Sequence, residues 1–94
     1  GLGACGKTHR DGDFIAAIDK SLFDTYPGAG PNPNKNPVCG KKVTATHKGK
    51  SVTVTVVDRC GAGCKKYDLD LSPAAFRKLA PHDAGRIPIT WTWH

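Results

Sequence analysis

Along residues 51–57 apolar and polar side chains alternate: Val52, Val54 and Val56 fall on one side of a two-residue period, Thr53 and Thr55 on the other. Successive side chains of an extended chain point to opposite faces, so the pattern predicts a strand buried on its valine side. The strand runs straight into Asp58-Arg59-Cys60, and a Gly61-Ala62-Gly63 turn closes on Cys64. Leu69 and Leu71 then alternate with Asp68 and Asp70 in a second extended segment. Ser72-Pro73 opens a helix, with Ser72 as N-cap and Pro73 at the first helical position, where a missing N–H costs nothing. Ala75, Phe76 and Leu79 share one face of it, and Pro81 and Gly85 end it. Residues 51–73 thus place two carboxylates, Asp58 and Asp70, on ordered segments, and the rest of the chain is arranged around them.

The remaining elements are shorter. Residues 1–13 hold four glycines and read as a loop pinned by Cys5. Residues 14–18, FIAAI, read as a buried strand that passes into a helical turn capped near Asp19. Residues 24–37, DTYPGAGPNPNKNP, carry four prolines, three asparagines and two glycines, a composition that predicts no regular structure. A loop of that length in a small domain is often functional, and an ordinary surface loop is the competing reading. Residues 41–48 alternate and predict a strand, with a hairpin turn at Lys48-Gly49-Lys50. The last strand is expected over residues 86–94, with Ile87, Ile89, Trp91 and Trp93 on one face and Pro88 marking an edge.

Composition narrows the class. Ninety-four residues make one domain with a modest core, in which cross-links matter. Four cysteines, an even number, suit a secreted chain with two disulfides, and three pairings are possible. No run of 18 apolar residues exists to cross a membrane, and no signal peptide is visible before Gly1, which reads as the start of a mature or trimmed form. All eight acidic side chains are aspartates. The four histidines are scattered, with no His or Cys spacing that suits zinc, so no metal or cofactor is expected.

Six motifs occur in order: GACG at residue 3, DFIAAI, NPVCG, SVTVTVVDRC, LDLSPAAF and GRIPITW. Together they resemble the double-psi β-barrel domain shared by expansins, barwin-like proteins and bacterial rare lipoprotein A, over nearly the whole chain. Within that superfamily the chain resembles a small secreted branch that includes papain inhibitors of streptomycetes and fungal riboflavin-aldehyde-forming-enzyme-like proteins. The resemblance implies a mainly β fold: a six-stranded double-psi β-barrel with one or two short helices, a single domain over residues 1–94. It implies Cys5–Cys39 and Cys60–Cys64 bridges. Relatives carry a further strand before GACG, which here was either removed or lies outside the stated sequence.

The resemblance also implies a shallow groove. In expansin-like members an aspartate matching Asp70 is required for wall loosening, and one matching Asp58 sits beside it; Tyr67 is a candidate for the groove wall. Asp58 has a second reading, as an acceptor for backbone N–H groups of the 61–63 turn. Tyr67 has one as rim packing, and Asp68 reads as solvated. No catalysis is expected. Acid and base work by two carboxylates requires one to stay protonated, and Arg59, Lys65 and Lys66 crowd the same stretch. Lys41, Lys42, Lys48 and Lys50 flank one hairpin and read as a solvated face or as a seat for acidic glycans. Nucleic acid is disfavoured because no aromatic residue interleaves with the lysines. Two functions follow: a secreted, monomeric inhibitor of papain-like cysteine proteases, or a non-catalytic binder of cell-wall polysaccharide. For the first, two segments are candidate contacts, Leu2 with Gly3 and Tyr26 with Pro27.

Overall fold

The computed structural model describes residues 4–6, 12–60 and 64–94. Its centre is the valine-rich strand, which is longer than the alternation alone suggests and runs over Lys50–Cys60 (β3). Lys42–His47 (β2) lies antiparallel to it, and Ile15–Asp19 (β1) lies parallel on its other side. Leu69–Leu71 (β4) pairs with β1 and Thr90–Trp93 (β5) pairs with β2, giving the sheet order β4-β1-β3-β2-β5. The β2–β3 turn is made by Lys48 and Gly49, both at positive φ (49° and 82°). Two such residues match the right-handed twist of the strands they join.

The core is the inner side of this sheet. Val43 pairs with Val54 and Ala45 with Val52, and all four are buried. Cys5, Ala16, Ile18, Phe23, Val38, Val56, Ala75 and Leu79 complete the cluster. Two helices close it. Lys20–Asp24 (α1) is capped by Asp19, whose carboxylate accepts from the Ser21 N–H at 3.0 Å and from the Ser21 hydroxyl. Pro73–Arg77 (α2) is capped by the Ser72 hydroxyl, which accepts from Ala75 N–H and donates to the Asp13 carbonyl at 2.5 Å. The helix is shorter than its apolar face predicts, because Leu79 and Ala80 follow it as a buried turn. Cys5 is bonded to Cys39 and Cys60 to Cys64, the pairing that the resemblance implies.

Three expectations change. The sheet has five strands among the described residues, where six were expected. The last strand begins at Thr90 rather than at residue 86: residues 86–89 leave the sheet, Pro88 has no N–H to give it, and its carbonyl accepts from His47 Nδ1 at 2.6 Å. Residues 24–37 are not without regular structure. They contain a 3-10 turn at Pro33–Lys35, capped by Asn32, and the side chain of Asn36 is buried beneath it. There the Asn36 amide donates to the Phe23 carbonyl at 2.7 Å and its oxygen accepts from Val38 N–H at 2.9 Å. At Gly28, φ is +91° and a Cβ would lie 2.9 Å from the Pro37 ring, so the chain can turn back on itself there only as glycine. The loop is therefore tied at several points rather than draped on the surface.

Candidate functional site

A strict two-residue period would carry Asp58 onto the core side with Val52, Val54 and Val56. It does not land there. The β1–β3 register shifts between Ala16 and Ala17, so Ala16 faces Val56 while Ala17 faces Asp58, and Val57 is the additional residue. Such a bulge turns the side chains beyond it to the other face. Ala17 also faces Asp70 across the antiparallel β1–β4 pair. Asp58 and Asp70 therefore flank one small residue on neighbouring strands, with Cα atoms about 10 Å apart from two strand spacings.

Above them opens a groove of about 1140 Å³, lined by these residues with Tyr67, Asp68, Phe76 and residues 85–89. The structure thus brings Asp58, Tyr67 and Asp70 to one concavity. Their roles differ. Oδ1 of Asp58 accepts from Ala4 N–H at 2.7 Å and from Arg59 N–H at 2.8 Å. This fixes the Cys5 segment against the end of β3, where Cys5 N–H also donates to the Val57 carbonyl. Residues 61–63, expected as its donors, lie outside the described residues. Asp70 is exposed, with no partner among the described residues. Tyr67 is 68% exposed, so its ring stands at the groove edge rather than packing the rim.

Asp68 corrects a second reading: it is bonded rather than solvated. Its carboxylate accepts from Lys65 N–H at 2.9 Å and pairs with Arg86 at 2.7 Å. Trp91 Nε1 donates to the Tyr67 carbonyl at 2.8 Å. Together these ties fasten the segment after Cys64 to Arg86 and to Trp91 on β5. Of the cations expected to crowd the carboxylates, Lys65 does act on Asp68, while the other two have partners of their own. Arg59 pairs with Asp24 at 2.6 Å and lies over the Phe23 ring, and Lys66 lies over the Tyr67 ring. Among the described residues no three metal-ligating side chains come together.

The Lys65 backbone N–H, and after it the Arg86 guanidinium, hold the Asp68 carboxyl below its ordinary range. A carboxyl depressed in the folded state stabilises the fold above its unfolded value, and that contribution is lost as pH falls through the folded value. Thermal melts below about pH 4 should therefore show wild type losing stability faster than Asp68→Asn. The difference is small because the pair is exposed. Parallel pH profiles for the two proteins would contradict the assignment.

Of the proposed protease contacts, Leu2 and Gly3 lie outside the described residues. Tyr26 is half-buried, its ring 5.5 Å from that of Trp93, and Pro27 is exposed. Sequence reasoning missed Asn36, one of three asparagines in a proline-rich run and the only one buried.

A family model described as lytic transglycolase matches residues 4–91. The papain inhibitor of Streptomyces mobaraensis is 39% identical over 97% of this chain, and the chain spans 62% of that protein, less than two thirds of its length. The solved structure of a Streptomyces papain inhibitor superposes with a TM-score of 0.86 at 38% identity, over 99% of this chain and 82% of that one. A Clavibacter michiganensis expansin, 29% identical, covers 98% of this chain with a TM-score of 0.76, and 41% of its own length is matched. An aspartate-to-asparagine mutant of that expansin, in complex with cellohexaose, gives 28% and 0.74. With its sheet, bulge and groove in place, the chain belongs to the double-psi β-barrel family that expansins and papain inhibitors share.

Proposed function

We propose that this chain is a non-catalytic inhibitor of papain-like cysteine proteases that acts outside the cell, where its two disulfides persist. The observation that carries this reading is the likeness to the Streptomyces papain inhibitor along almost the entire chain, in sequence and in fold. The character of one loop supports it further. An inhibitor must enter a protease cleft without losing much freedom and without being cut. Residues 24–37 meet both needs: Asn36 and the Cys5–Cys39 bridge hold them, Tyr26 gives an aromatic anchor, and Pro27, Pro31, Pro33 and Pro37 resist cleavage. Papain assayed with a peptide substrate, beside trypsin as control, tests the reading. Loss of papain activity alone supports it.

A second reading rests on the groove. Asp70, without a partner among the described residues, lines the groove with Asp58 and the exposed Tyr67, an arrangement suited to a sugar chain, and a related expansin is known in complex with cellohexaose. Binding of cello-oligosaccharides that Asp70→Asn weakens would favour it. Neither reading includes hydrolysis, so no reducing ends are expected from cellulose, xylan or peptidoglycan. Release of reducing ends that vanished in Asp70→Asn would contradict both.

A further inference from the structure

The outer face of β3, β2 and β5 carries a second pattern. Thr53, Thr44 and Thr92 lie side by side in one cross-strand row. Ser51, Thr46 and Thr90 form the next row. Thr55 and Lys42 begin a third. Each of these side chains is exposed or half-buried, and the opposite face of the same strands is the valine core. Rows of one strand are about 7 Å apart and neighbouring strands about 4.8 Å apart, so the hydroxyls form a grid. Thr44 and Thr53 hydroxyls are already in contact at 3.1 Å.

The charged side chains that border these rows on β2, β3 and their hairpin are lysines. Between Asp24 and Asp58 the chain has no acidic residue and five lysines. Lys42 borders the grid at one end and Lys48 and Lys50 at the hairpin end, all exposed. None of these residues lines the groove. Asp58, Asp68 and Asp70 line the groove and none of the row residues does, so the basic, hydroxyl-rich rows are a surface distinct from the groove.

We propose that this face binds an anionic polysaccharide, with lysines pairing to its carboxylates and the threonine grid exchanging hydrogen bonds with its hydroxyls. A polyuronate offers both groups in regular repeat. Nucleic acid fits less well. The face has no aromatic side chain for bases to stack on. Such a surface would hold the protein on a charged wall or mucilage while the inhibitory loop stays free, and it does not depend on the inhibitor reading.

The test uses polygalacturonate as probe, with neutral dextran and duplex DNA as controls. Wild type is expected to bind polygalacturonate at low salt, less as salt rises, and not to bind dextran. Lys42→Thr, Lys48→Asn and Lys50→Thr combined should weaken binding roughly tenfold or more and leave papain titration unchanged. Asparagine is chosen at position 48 because it tolerates the positive φ found there. Thr44→Val with Thr53→Val removes both hydroxyls together, leaving neither widowed. It should weaken binding to polygalacturonate but not to DNA. The proposal is overturned if wild type does not bind polygalacturonate, or if the lysine variant binds as wild type does. It is also overturned if the threonine pair leaves polygalacturonate binding unchanged, which would reduce the face to plain ion exchange.

Discussion

Cys5→Ala with Cys39→Ala should lower stability by about 4 kcal/mol, on the entropy of the loop that the bridge closes. The two cysteines are 34 positions apart, and the loop contains the whole of β1, α1 and the proline-rich excursion. In a domain of this size that corresponds to a fall in Tm of roughly 15–30 °C. Alanine rather than serine is the right replacement, because Cys5 is buried in the core cluster and a hydroxyl there would add a cost of its own. The Cys60–Cys64 bridge closes a far shorter loop and should contribute about 2 kcal/mol by the same reasoning. Thermal melts of both double variants check the order. Equal effects, or a larger one from the short bridge, would contradict it.

Asn36→Ala is the second large effect. The residue is 5% exposed, and truncating it leaves the Val38 N–H without its partner and removes the shorter bond to the Phe23 carbonyl, which keeps the Tyr26 N–H at 3.4 Å. A buried group left unpaired costs about 1–3 kcal/mol, and the loss should fall in that range. Asn34→Ala, two residues away and exposed, should stay within about 0.5 kcal/mol of wild type. Denaturant melts of the two variants separate them. Because Asn36 ties residues 24–37 to the core, its loss should also weaken papain inhibition by speeding dissociation. Matching stability for Asn34→Ala and Asn36→Ala would mean that the loop is not held as described.

Much of this was legible in the sequence, and what was not has a common cause. The alternation of Val52, Val54 and Val56 identifies β3, and Ser72-Pro73 identifies the start of α2, because both signals are local. The groove position of Asp58 follows from a register shift opposite Ala16 and Ala17, some forty residues away. Read alone, its spacing assigns it to the core side. Asp68 reads as one more acidic surface residue until Arg86 and the Lys65 N–H are brought to it. The run PNPNKNP gives no hint which asparagine turns inward, since burial is decided by where Phe23 lies. The late start of the final strand follows from a partner that no local pattern shows: the Pro88 carbonyl accepts from His47 on β2. Long-range pairing therefore decided each position that local pattern misplaced.

The most direct test of the inhibitor reading is a tight-binding titration of papain with this chain, together with Tyr26→Ala. The account predicts that wild type abolishes papain activity and leaves trypsin untouched. Removing the Tyr26 ring, a central aromatic anchor, should raise the inhibition constant roughly thirtyfold, the equivalent of about 2 kcal/mol. A melt of the same variant should confirm that it remains folded despite losing its contact with Trp93. An unchanged constant would move the contact to another part of the barrel. Full papain activity in the presence of a molar excess of wild type would contradict the inhibitor reading and leave the groove, with Asp70 in its lining, as the working site.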